Sequence, residues 1–105
     1  MTRLLALFCL ALAMAAAQAN PYRSKPEAAQ AGAKLYRRHC AGCHGQEAKG
    51  NRHAASLRSP AVRNASDEAL YRILTDGVMR RGMPSWAGLP EQQRWQIVTW
   101  LKSLK

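Results

Sequence analysis

The chain has 105 residues, of which 16 are lysine or arginine and six are acidic, so its formal net charge is +10 at pH 7. This length allows one domain with a thin core. Domains of this size often need a disulfide, a metal or a cofactor to reach ordinary stability. The basic residues are scattered without a single polybasic tract, so the charge favours acidic partners and a fast electrostatic encounter with them.

Residues 1–19 are predicted to be a secretory signal peptide. The run "LLALFCLALAMAAA" is apolar throughout, and Ala17 and Ala19 place small residues around a cut before Asn20. An uncleaved membrane anchor is the alternative, but the run is shorter than the roughly 20 apolar residues that a spanning helix needs. Cleavage would remove Cys9, and it predicts a periplasmic protein whose one domain spans residues 20–105. Export argues against a nucleic-acid partner and against stable membrane insertion of the mature chain.

The first predicted helix begins at "SKPE". Ser24 is expected to cap it, Pro26 lies in its first turn, and Glu27 has the spacing of a capping box. The helix is expected to reach about His39. Gly32 lowers its stability unless another backbone or a ring must come close at that point, which suggests a crossing partner.

A second helix is predicted from "SDEALYRILTDG". Ser66 is its expected cap, and Gly77 is its expected C-terminal stop. Leu70, Ile73 and Leu74 are spaced three and four residues apart, which is typical of a buried helical stripe.

The third predicted helix, "PEQQRWQIVTWLKSL", has Pro90 in its first turn. Its apolar face consists of Ile97, Val98, Leu101 and Leu104, with Trp100 beside it. Loops are expected at 42–64 and 77–89, and no stretch alternates like a strand. The sequence therefore predicts an all-α fold whose long loops and thin core leave room for a buried cofactor.

The stretch "CAGCH" has the pattern of c-type haem attachment, in which Cys40 and Cys43 form thioethers and His44 ligates the iron. Three other interpretations remain open. The pair could be a thioredoxin-like dithiol, although a helix rather than a strand precedes it. It could also form a small disulfide ring, or a zinc site with two of His39, His44 and His53.

A haem held by His44 needs a second axial ligand. The later loop, "DGVMRRGMPSW", offers Met79 and Met83. Met83 is favoured because a glycine and a proline bracket it in a loop, where no helical face demands an apolar side chain. His39 and His53 are the alternatives for a bis-histidine site.

With these residues in place, residues 32–104 resemble a small class I cytochrome c of the kind found in bacterial periplasms. In that family, N-terminal and C-terminal helices cross near the haem. The first carries a glycine and an aromatic residue four apart, and the last carries an aliphatic and an aromatic residue three apart. Gly32 and Tyr36 match the first pair, and Ile97 and Trp100 match the second.

The resemblance also implies roles for residues outside the motif. Trp86 is expected to pack against the haem, and the Pro60 carbonyl is expected to accept the second N–H of His44 and so fix its ring. Arg58 and Arg63 are candidates for contacts with the haem propionates, although solvated loop charges are the alternative for both.

The function that the resemblance implies is one-electron transfer, without enzymatic activity, by a monomer with one haem c. Its expected partners are acidic redox proteins such as a dehydrogenase, a reductase complex or a terminal oxidase. Two alternatives stay open: an electron-entry subunit docked permanently to a larger oxidoreductase, and a five-coordinate haem peroxidase or gas sensor.

Overall fold

The computed structural model describes residues 19–105, so the predicted signal peptide, except Ala19, lies outside the described residues. Their helices, in chain order, are α1 (Pro26–His39), α2 (Ala41–His44), α3 (Pro60–Asn64), α4 (Asp67–Asp76), a 3₁₀ helix (Met79–Arg81) and α5 (Glu91–Ser103). The β pairing within these residues is an isolated antiparallel bridge between Val78 and Met83. The predicted all-α fold is confirmed. Within residues 19–105, none of the helices combines the length and the apolar character that crossing a bilayer requires.

The N-terminus of α1 differs from the prediction in its cap. The helix begins at Pro26, but Lys25 occupies the cap position in an extended conformation, and no side chain caps the helix. Ser24 instead has a positive φ of 60°. The reason is steric, because a proline at the first helical position excludes the residue before it from the helical region. The cap therefore falls on Lys25, and the predicted Ser24 cap is wrong.

The boundaries of α4 follow the prediction. The Ser66 hydroxyl accepts a hydrogen bond from the backbone N–H of Ala69 at 3.1 Å, and Gly77 ends the helix with φ 71°. Pro90 was expected inside the first turn of α5, but it is the cap residue immediately before Glu91.

Helices α1 and α5 cross in close contact, as the resemblance implied. A Cβ atom placed on Gly32 would lie 1.9 Å from the carbonyl oxygen of Gln96, so only glycine allows the two backbones to come this near. One turn further along α1, Tyr36 is fully buried. Its ring centroid lies 4.4 Å from that of Trp100.

The main core forms where α4 packs on α5. Its buried residues are Leu70, Leu74, Trp95, Ile97, Val98 and Leu101. Ile73, predicted to share the buried stripe, is 44% exposed and lines a cavity instead. The two predicted loops are also less irregular than expected, because α2 and α3 lie in the first and the 3₁₀ helix lies in the second.

Candidate functional site

A cavity of about 570 Å³ lies between the end of α1, the segment after α2, α4, the loop at 78–86 and α5. Aliphatic side chains from α4 and α5 make up much of its wall. The predicted site residues that line it are Cys40, Cys43, His44, Met83 and Trp86. A second hollow, of about 600 Å³, lies beside Arg23, Asp67 and Lys102 and contains none of the predicted site residues.

The two cysteines and His44 are held on one short helical turn. Cys40 ends α1 and precedes α2, and its carbonyl oxygen accepts hydrogen bonds from the backbone N–H groups of Cys43 and His44 at 3.2 and 3.0 Å. The two cysteines do not form a disulfide with each other. The turn places the two sulfur atoms and the imidazole against the same cavity.

The orientation of His44 is set by a backbone carbonyl. Its Nδ1 lies 3.0 Å from the carbonyl oxygen of Ala55. With Nδ1–H donating to that oxygen, the lone pair of the neutral ring lies on Nε2, the atom that a metal would bind. The resemblance had assigned this carbonyl to Pro60. Pro60 instead begins α3, is exposed and does not line the cavity, so that assignment is wrong.

Backbone contacts shape much of the loop before Ala55. The Gly50 N–H donates to the His44 carbonyl at 2.8 Å, and the Leu57 N–H donates to the Ala48 carbonyl at 2.9 Å. Gly50 has φ 79°, and a Cβ there would lie 2.6 Å from the backbone nitrogen of Ser56. Gly50 therefore lets the chain fold back beneath His44, which is how the Ala55 carbonyl reaches the ring.

Met83 faces the cavity from the opposite segment of the chain. Its N–H and carbonyl oxygen both pair with Val78, at 3.1 and 2.9 Å, which closes a tight turn over 78–83. Gly82, in the left-handed conformation with φ 84°, completes that turn. The other candidate, Met79, is 73% exposed and does not line the cavity. The turn thus directs one of the two methionines inward and the other outward.

Trp86 continues the loop along the cavity edge. Its N–H donates to the carbonyl of Leu74 at 2.8 Å, which ties it to the end of α4. Its ring centroid lies 5.1 Å from that of His39, across the cavity mouth. His39 and His53 both line the cavity, but His53 is exposed.

Tyr36 is a site residue whose polar role the sequence did not reveal. Its hydroxyl donates to the carbonyl oxygen of Gly45 at 2.6 Å and so ties α1 to the residue that follows His44. Burial, with a smaller contribution from Cys40, raises the pKa of Tyr36 to about 12. A tyrosine at this position was expected only as a packing ring, so its hydrogen bond is a finding of the structure.

The site disfavours the dithiol and zinc interpretations. Burial, followed by the neighbouring Cys43, raises the pKa of the Cys40 thiol to about 11, so Cys40 is not activated as a nucleophile. Among residues 19–105, no three His, Cys, Asp or Glu side chains cluster in a way that could hold a metal ion.

The arginines suggested as propionate contacts are engaged elsewhere. Arg58 Nε donates to the Glu47 carbonyl at 2.6 Å, and Arg63 Nη1 donates to the Arg58 carbonyl at 2.7 Å. Neither residue lines the cavity. Arg52 and Arg81 do, and no acidic residue is among the described side chains that line it.

These observations together fit a c-type haem. The cavity is lined by apolar side chains together with two thiols, an imidazole and a thioether, and Arg52 and Arg81 supply positive charge suited to two carboxylates. The fold and the site are therefore those of a c-type cytochrome.

The comparisons with known proteins agree. The family model "Cytochrome C oxidase, cbb3-type, subunit III" matches residues 27–101. The chain is 34% identical to cytochrome c550 of Pseudomonas aeruginosa over 89 residues, which cover 81% of this chain and 61% of that protein. The crystal structure of cytochrome cL from the marine methylotrophic bacterium Methylophaga aminisulfidivorans matches with a TM-score of 0.68 at 29% identity, over 79% of this chain and 57% of that one.

The chain belongs to the class I c-type cytochromes, within the family that this model describes. Members of the class bind covalent haem c, and their function is haem-based electron transfer. The chain spans about three fifths of the length of the two relatives it matches.

Proposed function

We propose that this protein is a one-electron carrier rather than an enzyme, with one haem attached through Cys40 and Cys43 and ligated by His44 and Met83. The observation that carries the proposal is that the His44 imidazole and the Met83 thioether, from two separate segments of the chain, line the same cavity. Haem supplies the iron that alternates between Fe(III) and Fe(II). His44 and Met83 would both ligate that iron, which would leave no position for peroxide or a gas.

The protein's own contribution is to set the reduction potential and to keep the ligands in place. A thioether stabilises the reduced iron, and an apolar cavity disfavours the additional charge of the oxidised state, so both raise the potential. The Ala55 carbonyl holds the His44 ring, and the bridge between Val78 and Met83 fixes the backbone of the methionine. Trp86 contributes a ring at the cavity edge.

The test is spectroscopic. The precursor would be expressed with a haem-maturation system, and wild type, Met83→Ala and Met79→Ala would be purified and their spectra recorded in both oxidation states. We expect covalent haem in all three, with a near-infrared sulfur-to-iron band that is lost only in Met83→Ala. A band that survives in Met83→Ala but disappears in Met79→Ala would overturn the ligand assignment. A five-coordinate wild type would instead favour a peroxidase or gas sensor.

The net charge supports acidic redox proteins as partners, and the cavity rim carries Arg52 and Arg81. We expect the bimolecular electron-transfer rate with an acidic partner to fall steeply as ionic strength rises, since exposed charges are screened within about 8 Å at physiological salt. Stopped-flow measurement over a salt series checks this expectation. A rate indifferent to salt would remove electrostatic steering from the proposal.

A docked subunit is a second candidate, because the matching family model is described as an oxidase subunit. Gentle purification from the native membrane and soluble fractions separates the two candidates. A free carrier is recovered alone as a monomer, whereas a docked module co-purifies with an oxidoreductase in fixed proportion.

Export to the periplasm with cleavage before Asn20 completes the proposal. Asn20 is buried, and its side-chain nitrogen donates to Asp67 at 2.9 Å and to Thr99 at 3.1 Å, so the fold holds the proposed new N-terminal residue in place. Intact-protein mass spectrometry of the periplasmic fraction should give the mass of residues 20–105 plus one haem. A mass that retains residues 1–19 would contradict cleavage.

A further inference from the structure

His39 lines the cavity, and the haem attachment and ligation proposed above give it no role. It is the last residue of α1, immediately before Cys40, and it is half-buried. Its ring centroid lies 5.1 Å from the Trp86 ring, with 52° between the ring planes. This distance and tilt are within the range of an attractive aromatic pair.

The partner, Trp86, belongs to the loop that carries Met83. The hydrogen bonds of this loop join it to the end of α4. Trp86 N–H donates to Leu74, Met83 pairs with Val78, and the Ser85 hydroxyl donates to the Thr75 carbonyl at 2.5 Å. These contacts attach the loop to α4, on one side of the cavity.

The contact between His39 and Trp86 reaches the other side. Of the aromatic pairs among residues 19–105, it is the one that joins the methionine loop to the segment bearing the cysteines. We propose that His39 is a positioning residue, which holds the methionine loop closed over the haem and thereby restricts the access of small ligands and water to the iron. This proposal rests on the haem and Met83 ligation proposed above.

The physical argument is a balance between two states of the loop. In the closed state the His39 and Trp86 rings shield one another from water, and in the open state both are hydrated. Removing the ring should therefore raise the fraction of open loop by about 2- to 10-fold, the range that an aromatic pair supplies.

The first measurement is the binding of imidazole to the oxidised, haem-loaded protein by stopped flow, at concentrations where loop opening limits the rate. His39→Ala should bind imidazole about 2- to 10-fold faster than wild type. His39→Phe, which retains a ring, should restore the slow rate. Arg38→Ala is the matched control, because Arg38 is the preceding, exposed residue of the same helical turn, and its rate should equal that of wild type. Equal rates in His39→Ala and wild type would overturn the proposal.

The second measurement does not depend on which residue ligates the iron. Hydrogen exchange of the Trp86 amide, which donates to Leu74, should be faster in His39→Ala by a similar factor, with no change at the amide of Val98, a buried residue of α5. If the sulfur-to-iron band is missing from wild type, the proposed ligation is wrong. The exchange rate of the Trp86 amide then still tests the role of His39. Unchanged Trp86 exchange would refute that role even if the band is present.

Discussion

The crossing of α1 and α5 gives a sharp prediction at Gly32. A Cβ on this residue would lie 1.9 Å from the Gln96 carbonyl oxygen and 2.6 Å from its carbonyl carbon, against a limit of 3.0 Å that real Cβ atoms essentially never cross. The obstructing atoms are backbone, so no side-chain rotation relieves the contact. In Gly32→Ala the two helices must separate by about 1 Å before the contact is tolerable.

The expected cost follows from two opposed terms. Overpacking in a tight core costs about 1–3 kcal/mol, and a backbone obstruction should lie at the upper end of that range. Alanine in a helix is more favourable than glycine by about 1 kcal/mol, which offsets part of this loss of stability. We therefore expect Gly32→Ala to lower the free energy of unfolding of the haem-loaded protein by about 2 kcal/mol.

Guanidinium titration followed by far-ultraviolet circular dichroism measures this loss. Gly88→Ala is the control, because no atom lies within 4 Å of a Cβ placed there. Its stability should stay within about 0.5 kcal/mol of wild type. If Gly32→Ala were as stable as Gly88→Ala, the glycine would not be what sets the distance between the helices.

Two further predictions concern hydrogen bonds near the ends of helices. Burial raises the pKa of Tyr36 from its usual 10.0 to about 12, so the stabilisation that this group contributes is fully present below pH 10 and is lost as the pH rises to about 12. Denaturant titrations should find Tyr36→Phe less stable than wild type at pH 7, and the difference in their free energies of unfolding should narrow between pH 10 and 12. A difference that stays constant over this range would contradict the argument. Ser66→Ala should lower the free energy of unfolding by about 1 kcal/mol, because the Ala69 N–H loses its 3.1 Å partner; a conservative Ser66→Thr should retain most of the stability, and equal losses in the two variants would argue against a capping role.

The features that the sequence predicted well are those fixed by the chemistry of one residue. Ser66 carries an oxygen that can cap, and Gly77 tolerates a positive φ, so both ends of α4 follow from residue type. Gly32 was informative for the same reason, since a glycine inside a helix needs a steric explanation. The attachment motif belongs to this group because thiols and imidazoles are rare and chemically distinctive.

The features that sequence reasoning missed depend on the path of the backbone. Every residue has a carbonyl, so nothing in the side chains of the loop indicates that Ala55, rather than Pro60, would reach His44. The turn at Gly50 determines which carbonyl reaches His44, and the conformation of that turn could not be read from the residue types in the loop. The prediction of Ser24 as the cap was wrong for a related reason, because Pro26 places the cap on Lys25.

The cavity has a consequence for how the protein is made. Residues of α4 and α5 that belong to the main core, including Leu70, Leu74 and Ile97, also line the cavity. The cofactor therefore completes the core, and a polypeptide that has not received it leaves apolar surface open to water. We expect chains without haem to be degraded by proteases, so that the cell's yield of folded protein is set by its haem supply rather than by its rate of translation.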